Sequence, residues 1–191
     1  MIYLLIASYL IGSISNAVII CKILGIPDPR TQGSKNPGAT NVLRLGGKKI
    51  AGFVLTFDGL KGATPVIIGH YLEFGLTQLT LITLCAFLGH IFPVFFRFKG
   101  GKGVATYLGG LIAINLLAGL IFSVIWLLVA KVLKTSSLAA LIATALSPFY
   151  FYLITGDMAS TLIIGLISLL IFYTHRGNIK RLINKEEDVI Q

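Results

Sequence analysis

The chain has 191 residues, of which 55% are hydrophobic and only 12% are charged, and its formal net charge is +9. Soluble domains hold about 25% charged residues, so this composition excludes an ordinary soluble domain and indicates a protein that crosses a membrane several times. We expect a single membrane domain over residues 1–191. The positive charge does not require a nucleic-acid partner, and we expect none, because cytoplasmic loops of membrane proteins are basic in any case.

Five apolar stretches are separated clearly by charged or polar residues, and each is predicted to cross the bilayer as a helix of about 20 residues. They are Met1 to Cys21, the residues between Lys49 and Glu73, Phe74 to Phe96, Thr135 to Gly156, and Met158 to Thr174. Cys21 and Cys85 lie within such stretches and are predicted to pack there rather than to form a disulfide.

The stretch from Gly103 to Ala130 is long for one crossing and short for two. Two short helices that turn near residues 115–119 place the basic residues before and after the stretch on one side of the membrane. The opposite loops then carry only Glu73 and Asp157. This asymmetry predicts an all-α integral membrane protein with seven transmembrane helices, its N-terminus outside and its C-terminus in the cytoplasm.

Three polar, glycine-rich segments fall on the predicted cytoplasmic face: Gly33 to Gly47, Phe98 to Thr106, and His175 to Leu182. Glycine allows close approach to the backbone, successive N–H groups form a concave anion site, and Lys and Arg add positive charge. Loop glycines are more often ordinary turns. Three such segments on one face nevertheless favour a phosphate site, and Arg44 and Lys102 are the best cationic candidates.

Several polar residues also have a purely structural interpretation. Asp58 and Lys61 are three residues apart on one helix, and they either neutralise each other or form a functional pair. His90 either serves the site or bonds a neighbouring helix. His175 and Asn178 share a face if the last helix continues. The end of the chain, from Asn184 to Gln191, is interpreted as a short solvated tail.

Together the segments resemble the motifs of the bacterial membrane glycerol-3-phosphate acyltransferases that use acyl phosphate as donor. Gly33 to Arg44 resembles G-S-x-N-P-G-A-T-N-V-L-R, and His90 to Thr106 resembles H-x-F-P-V-F-x-x-F-K-G-G-K-G-V-A-T. His175 to Glu187 resembles H-R-x-N-I-x-R-L-x-x-G-x-E. The resemblance covers essentially the whole chain, but Lys35 stands where many members of the family have glycine, and Lys185 stands where the third motif has glycine.

The resemblance implies transfer of a fatty acyl group from acyl phosphate to the sn-1 hydroxyl of glycerol 3-phosphate, which yields 1-acyl-sn-glycerol 3-phosphate and inorganic phosphate. It implies a monomer among the lipids of the bacterial cytoplasmic membrane, with its active site on the cytoplasmic side and no cofactor or metal. The implied catalytic residues are Ser34, Arg44, Lys102, His175 and Asn178. The predicted substrate-binding residues are Gly38, Ala39, Thr40, Asn41, Gly100, Gly101, Gly103, His90, Lys61 and Ser137.

This reaction is compatible with a site that has cations but no acid–base dyad. Acyl phosphate is already an activated mixed anhydride, so alignment and stabilisation of negative charge are the main requirements. We expect a substrate phosphate oxygen to accept the hydroxyl proton, with His90 and His175 as alternatives. A transporter of phosphate esters and a structural lipid-binding protein are the other function classes, although the sequence has no obvious inverted repeat.

Overall fold

The computed structural model describes residues 1–189. Within that range the chain forms nine α-helices and one short 3-10 helix at Val94–Phe96. The α-helices are α1 (Ile2–Gly12), α2 (Asn16–Ile23), α3 (Ala39–Tyr71), α4 (Leu76–Ile91), α5 (Val104–Ile114), α6 (Leu116–Leu133), α7 (Ser136–Thr155), α8 (Met158–Thr174) and α9 (Arg176–Ile183).

Six spans can be recognised by length and composition among the described residues. The helices α3, α4, α6 and α7 are each long and apolar enough to cross a membrane, α4 together with the 3-10 helix. The pairs α1–α2 and α8–α9 are bent by 42° and 60°, and each can form one further span. Helix α5 is apolar but has only 11 residues. The count of seven crossings and their orientation therefore stay predictions.

The first predicted span, Met1 to Cys21, is wrong as a continuous helix, because the chain breaks at residues 13–15 between α1 and α2. A carbonyl freed inside a membrane needs a polar partner. Lys61 on α3 supplies one, since its Nζ donates to the carbonyl oxygen of Ile14 at 2.8 Å. The break therefore depends on a side chain that is distant in the sequence.

The second predicted span begins earlier than the charge pattern indicates. Helix α3 has 33 residues and starts at Ala39, well before Lys49. It bends at Gly47, where φ is +82°, a backbone angle that favours glycine. Ala39 to Arg44 therefore lie on the first turns of a helix rather than in a loop.

The stretch from Gly103 to Ala130 is divided at Asn115, as predicted, into α5 and α6. The side chain of Asn115 accepts a backbone hydrogen bond and caps the first turn of α6. A Cβ on Gly119 would overlap Ile112, so the two helices touch across the turn. Helix α6 runs on to Leu133 and is longer than the predicted short crossing.

The apolar core is formed by side chains from each of the helices α3 to α8, with Phe87, Tyr107, Phe122 and Phe151 as its largest fully buried side chains. Tyr107 and Phe122 meet edge to face with ring centroids 5.6 Å apart. Cys21 belongs to a smaller buried cluster beside it. Both cysteines are free, Cys21 buried and Cys85 partly buried.

Candidate active site

Lys102 and Asn178, both predicted to be catalytic, are in direct contact. Lys102 lies between the 3-10 helix and α5, and its Nζ donates a hydrogen bond to Oδ1 of Asn178 on α9. Thr174, the last residue of α8, donates from Oγ1 to the backbone carbonyl of Lys102 at 3.2 Å. These bonds join the second and third polar segments.

Glu187 is the centre of the hydrogen-bonding network at this site. Its Oε1 accepts from Nδ2 of Asn178 and, at 2.7 Å, from Oγ of Ser137, while its Oε2 accepts from Nε of Arg181 at 2.6 Å. Burial raises the pKa of Glu187, but the hydrogen bonds from Asn178, Ser137 and Arg181 outweigh that effect and leave its pKa below the usual value. The side chain is only 9% exposed. The interpretation of this region as a solvated tail is therefore wrong at Glu187.

Arg44 joins the first polar segment to the same region. Its Nη1 lies 2.9 Å from Oδ2 of Asp188, and the two side chains are 34% and 65% exposed. Ion pairs at such exposure contribute about 0–1 kcal/mol, so an incoming anion can displace Asp188 from Arg44 at little cost.

The ammonium of Lys102 is held in a partly buried and mixed electrostatic environment. Burial is the main cause that lowers its pKa to about 8, the charge of Glu187 opposes this effect, and the positive charges of Arg181 and Arg44 add to it. Lys102 is therefore close to other cations, and an additional anion between them is electrostatically favourable.

His175, at the junction of α8 and α9, is 3% exposed and predominantly neutral at physiological pH. Burial and the charge of Lys102 lower its pKa to about 4, although its bond to Ile171 and the charge of Glu187 oppose the shift. Nδ1 lies 2.8 Å from the carbonyl oxygen of Ile171. A carbonyl only accepts, so Nδ1 carries the proton and Nε2 has a free lone pair. His175 is thus arranged to accept a hydrogen bond from a hydroxyl.

Asn41, predicted to bind substrate, holds the first polar segment together. Its Oδ1 accepts from the backbone N–H of Ser34 at 3.0 Å, and its Nδ2 donates to the carbonyls of Pro29 and Gln32 at 2.9 and 3.0 Å. Asn41 is 1% exposed. Its amide is therefore occupied within the protein, and Ser34 is placed on an exposed loop through its backbone.

The N-terminus of α3 presents the remaining residues of the first motif. Gly38 precedes the helix, and Ala39 and Thr40 form its first turn. The positive end of a helix dipole and its unbonded N–H groups attract anions. Oγ1 of Thr40 lies 3.3 Å from Oγ of Ser136, so this turn also meets the start of α7.

The glycines of the second motif pack against the end of α4. A Cβ on Gly100 would overlap the carbonyl oxygen of His90, and one on Gly101 would overlap its ring nitrogen Nε2. A Cβ on Gly103 would overlap the ring of Phe87. The N–H of Gly101 donates to the His90 carbonyl at 3.2 Å. This N–H is bonded within the protein, and the expected role of Gly100, Gly101 and Gly103 in binding the substrate stays a prediction.

His90 and Lys61, also predicted to bind substrate, are bonded inside the helix bundle. Nζ of Lys61 lies 2.9 Å from Oδ1 of Asp58, so this pair neutralises itself. Nδ1 of His90 lies 3.1 Å from Oγ1 of Thr106. The exposed fractions of His90 and Lys61 are 7% and 6%, and the hydrogen bonds described within residues 1–189 do not join them to Lys102 or Asn178.

The cluster around Glu187 contains three residues that received no role from the sequence: Arg181, Glu187 and Asp188. Arg181 and Glu187 do match the third motif, and that match was the available signal. Within residues 1–189, no three His, Cys, Asp or Glu side chains converge as a metal site. The cluster combines the carboxylates of Glu187 and Asp188 with cations, an amide, a hydroxyl and a neutral imidazole, and its cations and hydrogen-bond donors suit the binding of phosphate groups.

Comparisons with known proteins agree with this chemistry. A family profile described as glycerol-3-phosphate acyltransferase matches residues 2–185. The glycerol-3-phosphate acyltransferase of Ruthia magnifica subsp. Calyptogena magnifica is 62% identical over 189 residues, which is 99% of this chain and 96% of the relative. That of Hydrogenovibrio crunogenus is 48% identical over 185 residues, which is 96% of this chain and 88% of the relative.

Two solved structures have the same fold. They are crystal structures of PlsY (YgiH), an integral membrane glycerol 3-phosphate acyltransferase, in its glycerol 3-phosphate form and its lysophosphatidic acid form. The TM-scores are 0.94 and 0.92 at 38% and 37% identity, over 100% of this chain and 95% of each of those chains. Because the family profile and these relatives cover nearly the whole chain, the protein belongs to the glycerol-3-phosphate acyltransferase family of integral membrane proteins, the family of PlsY.

Proposed function

We propose that the protein transfers a fatty acyl group from acyl phosphate to the sn-1 hydroxyl of glycerol 3-phosphate and releases inorganic phosphate. The observation that carries this proposal is the contact of Lys102 with Asn178 beside Glu187, within range of the charges of Arg44 and Arg181. A cationic site without a nucleophile suits a donor that is already activated.

Two phosphorylated substrates repel each other, and the cations around Lys102 offset that repulsion. In our scheme a phosphate group takes the place of Asp188 at Arg44 and is also bound by Lys102. The exposed Arg44–Asp188 pair supports this exchange, because a phosphate brings more negative charge than one carboxylate. The first turn of α3 adds the backbone N–H groups of Ala39 and Thr40 as donors for the same phosphate.

In the chemical step the sn-1 hydroxyl oxygen attacks the carbonyl carbon of acyl phosphate, and the bond between that carbon and the bridging oxygen breaks. Phosphate leaves with the electron pair. His175, with its pKa of about 4, is a weak base, so we assign it the role of orienting the hydroxyl through Nε2. The proton passes to a substrate phosphate oxygen, whose second pKa is about 6.

An apolar groove runs along α8 toward this end of the helix bundle. The groove has a volume of about 570 Å³ and lies between α7 and α8, and its lining runs from Thr161 to Phe172, three residues before His175. Pro148 and Gly165 form part of its lining. We propose that the acyl chain of the donor lies in this groove, where it stays among apolar groups while its phosphate reaches Lys102.

We also propose that the site lies at the cytoplasmic face of the bacterial inner membrane and that one chain acts alone. The basic residues gathered at this end of the helix bundle support the orientation. Because the network around Glu187 is built from a single chain, a monomer has the groups that the reaction requires.

The donor is tested by measuring phosphate release from palmitoyl phosphate by the purified protein in detergent. We expect release only when glycerol 3-phosphate is present, with stoichiometric formation of the 1-acyl product. Parallel assays use acyl-coenzyme A and acyl carrier protein as donors, and Lys102→Ala serves as the inactive control. Turnover with a thioester donor and none with palmitoyl phosphate would contradict the proposal.

A further inference from the structure

We propose that His90 is a positioning residue that holds the backbone of Gly100 and Gly101 and thereby sets the place of Lys102. The kinetic test of this inference rests on the proposed function. His90 is buried at the end of α4 and is bonded within the helix bundle, so it acts through its neighbours rather than on the substrates.

The contacts between His90 and the glycines are close on two sides. The carbonyl oxygen of His90 accepts the N–H of Gly101 at 3.2 Å, and this oxygen also fills the space that a Cβ on Gly100 would need. The ring fills the corresponding space at Gly101, with Nε2 as the nearest atom. Any side chain at either position would push this backbone away from α4.

The ring of His90 is itself fixed by buried polar groups. Its Nδ1 lies 3.1 Å from Oγ1 of Thr106, which is fully buried, and 3.9 Å from Oδ1 of Asp58, which is 2% exposed. Asp58 in turn accepts from Nδ2 of Asn16 and from Nζ of Lys61, both at 2.9 Å. Groups from α2, α3 and α5 therefore hold the imidazole in one orientation.

Lys102 directly follows Gly101, so any shift of this backbone moves the ammonium relative to Asn178. Misplacement of a reacting or binding group by about 1 Å can lower the rate by about 100-fold. On this interpretation Gly101 lacks a side chain because the imidazole occupies that space. The alternative is that Gly101 lacks a side chain because a substrate must approach its backbone.

The two explanations predict different results for combined substitutions. Gly101→Ala should lower kcat/KM by about 10–100-fold, because its methyl group collides with Nε2 of His90. His90→Asn keeps a polar atom near Thr106 but removes the part of the ring that meets Gly101. We expect the double variant to recover to within about threefold of His90→Asn alone, since contacting residues give non-additive effects.

The control is Gly103→Ala, because a Cβ there would meet Phe87 instead of His90. His90→Asn should not rescue it. Rescue of Gly101→Ala but not of Gly103→Ala supports the positioning role, and it is a readout that general destabilisation would not produce. The proposal is overturned if the loss in the Gly101→Ala, His90→Asn double variant equals the product of the two single losses.

The activity of the wild-type protein shows whether the proposed function itself has failed, independently of the role of His90. If it does not turn over palmitoyl phosphate, the same variants are compared by the affinity for glycerol 3-phosphate, measured as a ligand-induced shift in the thermal unfolding temperature. Weakened binding in Gly101→Ala that His90→Asn restores supports the positioning of Lys102 without any assumption about the donor. Equal affinity in all four proteins overturns it.

Discussion

Lys102 combines burial with charged neighbours, so its charge depends on pH near neutrality. With a pKa of about 8, it is about 90% protonated at pH 7 and about 10% protonated at pH 9. Loss of the proton removes the attraction for phosphate. We therefore expect KM for glycerol 3-phosphate to rise by up to about tenfold between pH 7 and pH 9 in steady-state assays.

The matched variant for this prediction is Lys102→Arg, because a guanidinium stays charged throughout this pH range. Its KM should be nearly constant from pH 7 to pH 9, whatever its absolute activity. An equal rise of KM in Lys102→Arg would assign the pH dependence to another group.

We expect substitution of Glu187 to lower the activity, although the residue lies near the end of the described chain. An amide in Glu187→Gln offers only one acceptor atom, so it must turn its NH₂ toward one of the present donors, Asn178, Ser137 or Arg181. Hydrogen bonds to charged groups contribute about 1.5–3 kcal/mol, so we expect kcat/KM to fall at least about tenfold. The control is Glu186→Gln, whose exposed side chain should be replaceable without loss of kcat/KM. Similar losses in both variants would show that the carboxylate position is unimportant.

Single residues differ in how far the sequence could predict them. The spacing of His175 and Asn178 predicts a shared polar region, and the structure places Asn178 against Lys102. The role of Gly101 could not be predicted, because a glycine pattern does not show whether a ligand or a side chain occupies the free space. Lys35 and Lys185, which replace motif glycines, both have left-handed φ angles of +58° and +59°, and this backbone angle explains the family glycines.

At the scale of helices, the close contact of α3 with α5 depends on glycine. A Cβ on Gly62 would overlap the backbone carbonyl of Thr106, whereas a Cβ on Gly52 in the same helix meets nothing within 4 Å. Gly62→Ala should therefore destabilise the protein by about 1–3 kcal/mol through overpacking. Gly52→Ala should leave stability unchanged or raise it by up to about 1 kcal/mol, because alanine favours helix.

Thermal unfolding in detergent checks this pair of variants, since both alter the same helix by one methyl group. A lower unfolding temperature for Gly62→Ala together with an unchanged or higher one for Gly52→Ala is expected. If both variants unfold at the same temperature, the α3–α5 contact is looser than the structure shows.

Helices bounded by charged or turn residues could be predicted closely, and broken helices could not. The predicted span from Met158 to Thr174 coincides with α8, and Thr135 to Gly156 differs from α7 by one residue at each end. The break at residues 13–15 lies in the small and polar run from Gly12 to Asn16, which carries no charge and therefore does not divide the predicted span, and Lys61 from another helix stabilises it. A contact with a residue so distant in the sequence cannot be predicted from the neighbouring residues.

For the whole molecule, the orientation in the membrane is the main prediction still to be tested. In a background without Cys21 and Cys85, new cysteines replace Leu72, just after the end of α3, and Lys48, just after its bend, and both positions are exposed. We expect a membrane-impermeant maleimide to label Leu72→Cys in intact cells, and to label Lys48→Cys only after permeabilisation. The reverse pattern would invert the predicted topology and place the site outside the cell.

The charge distribution predicts that the polar segments lie at one end of the helix bundle, and the structure places residues of these segments in one network. Lys102 precedes α5 and Ser137 begins α7, yet both belong to the network around Glu187, so α5 and α6 together run away from this end and return. The groove between α7 and α8 could not be predicted, because its shape depends on how two helices pack.

The position of Glu187 also has a consequence for biosynthesis. Helices α1 to α8 are all synthesised before residue 187, so Asn178, Ser137 and Arg181 lack their common acceptor until the segment after α9 has been made. We expect a nascent chain that is stalled after α8 to be embedded but inert. Competence would then appear abruptly, only when the segment after α9 has emerged from the exit tunnel.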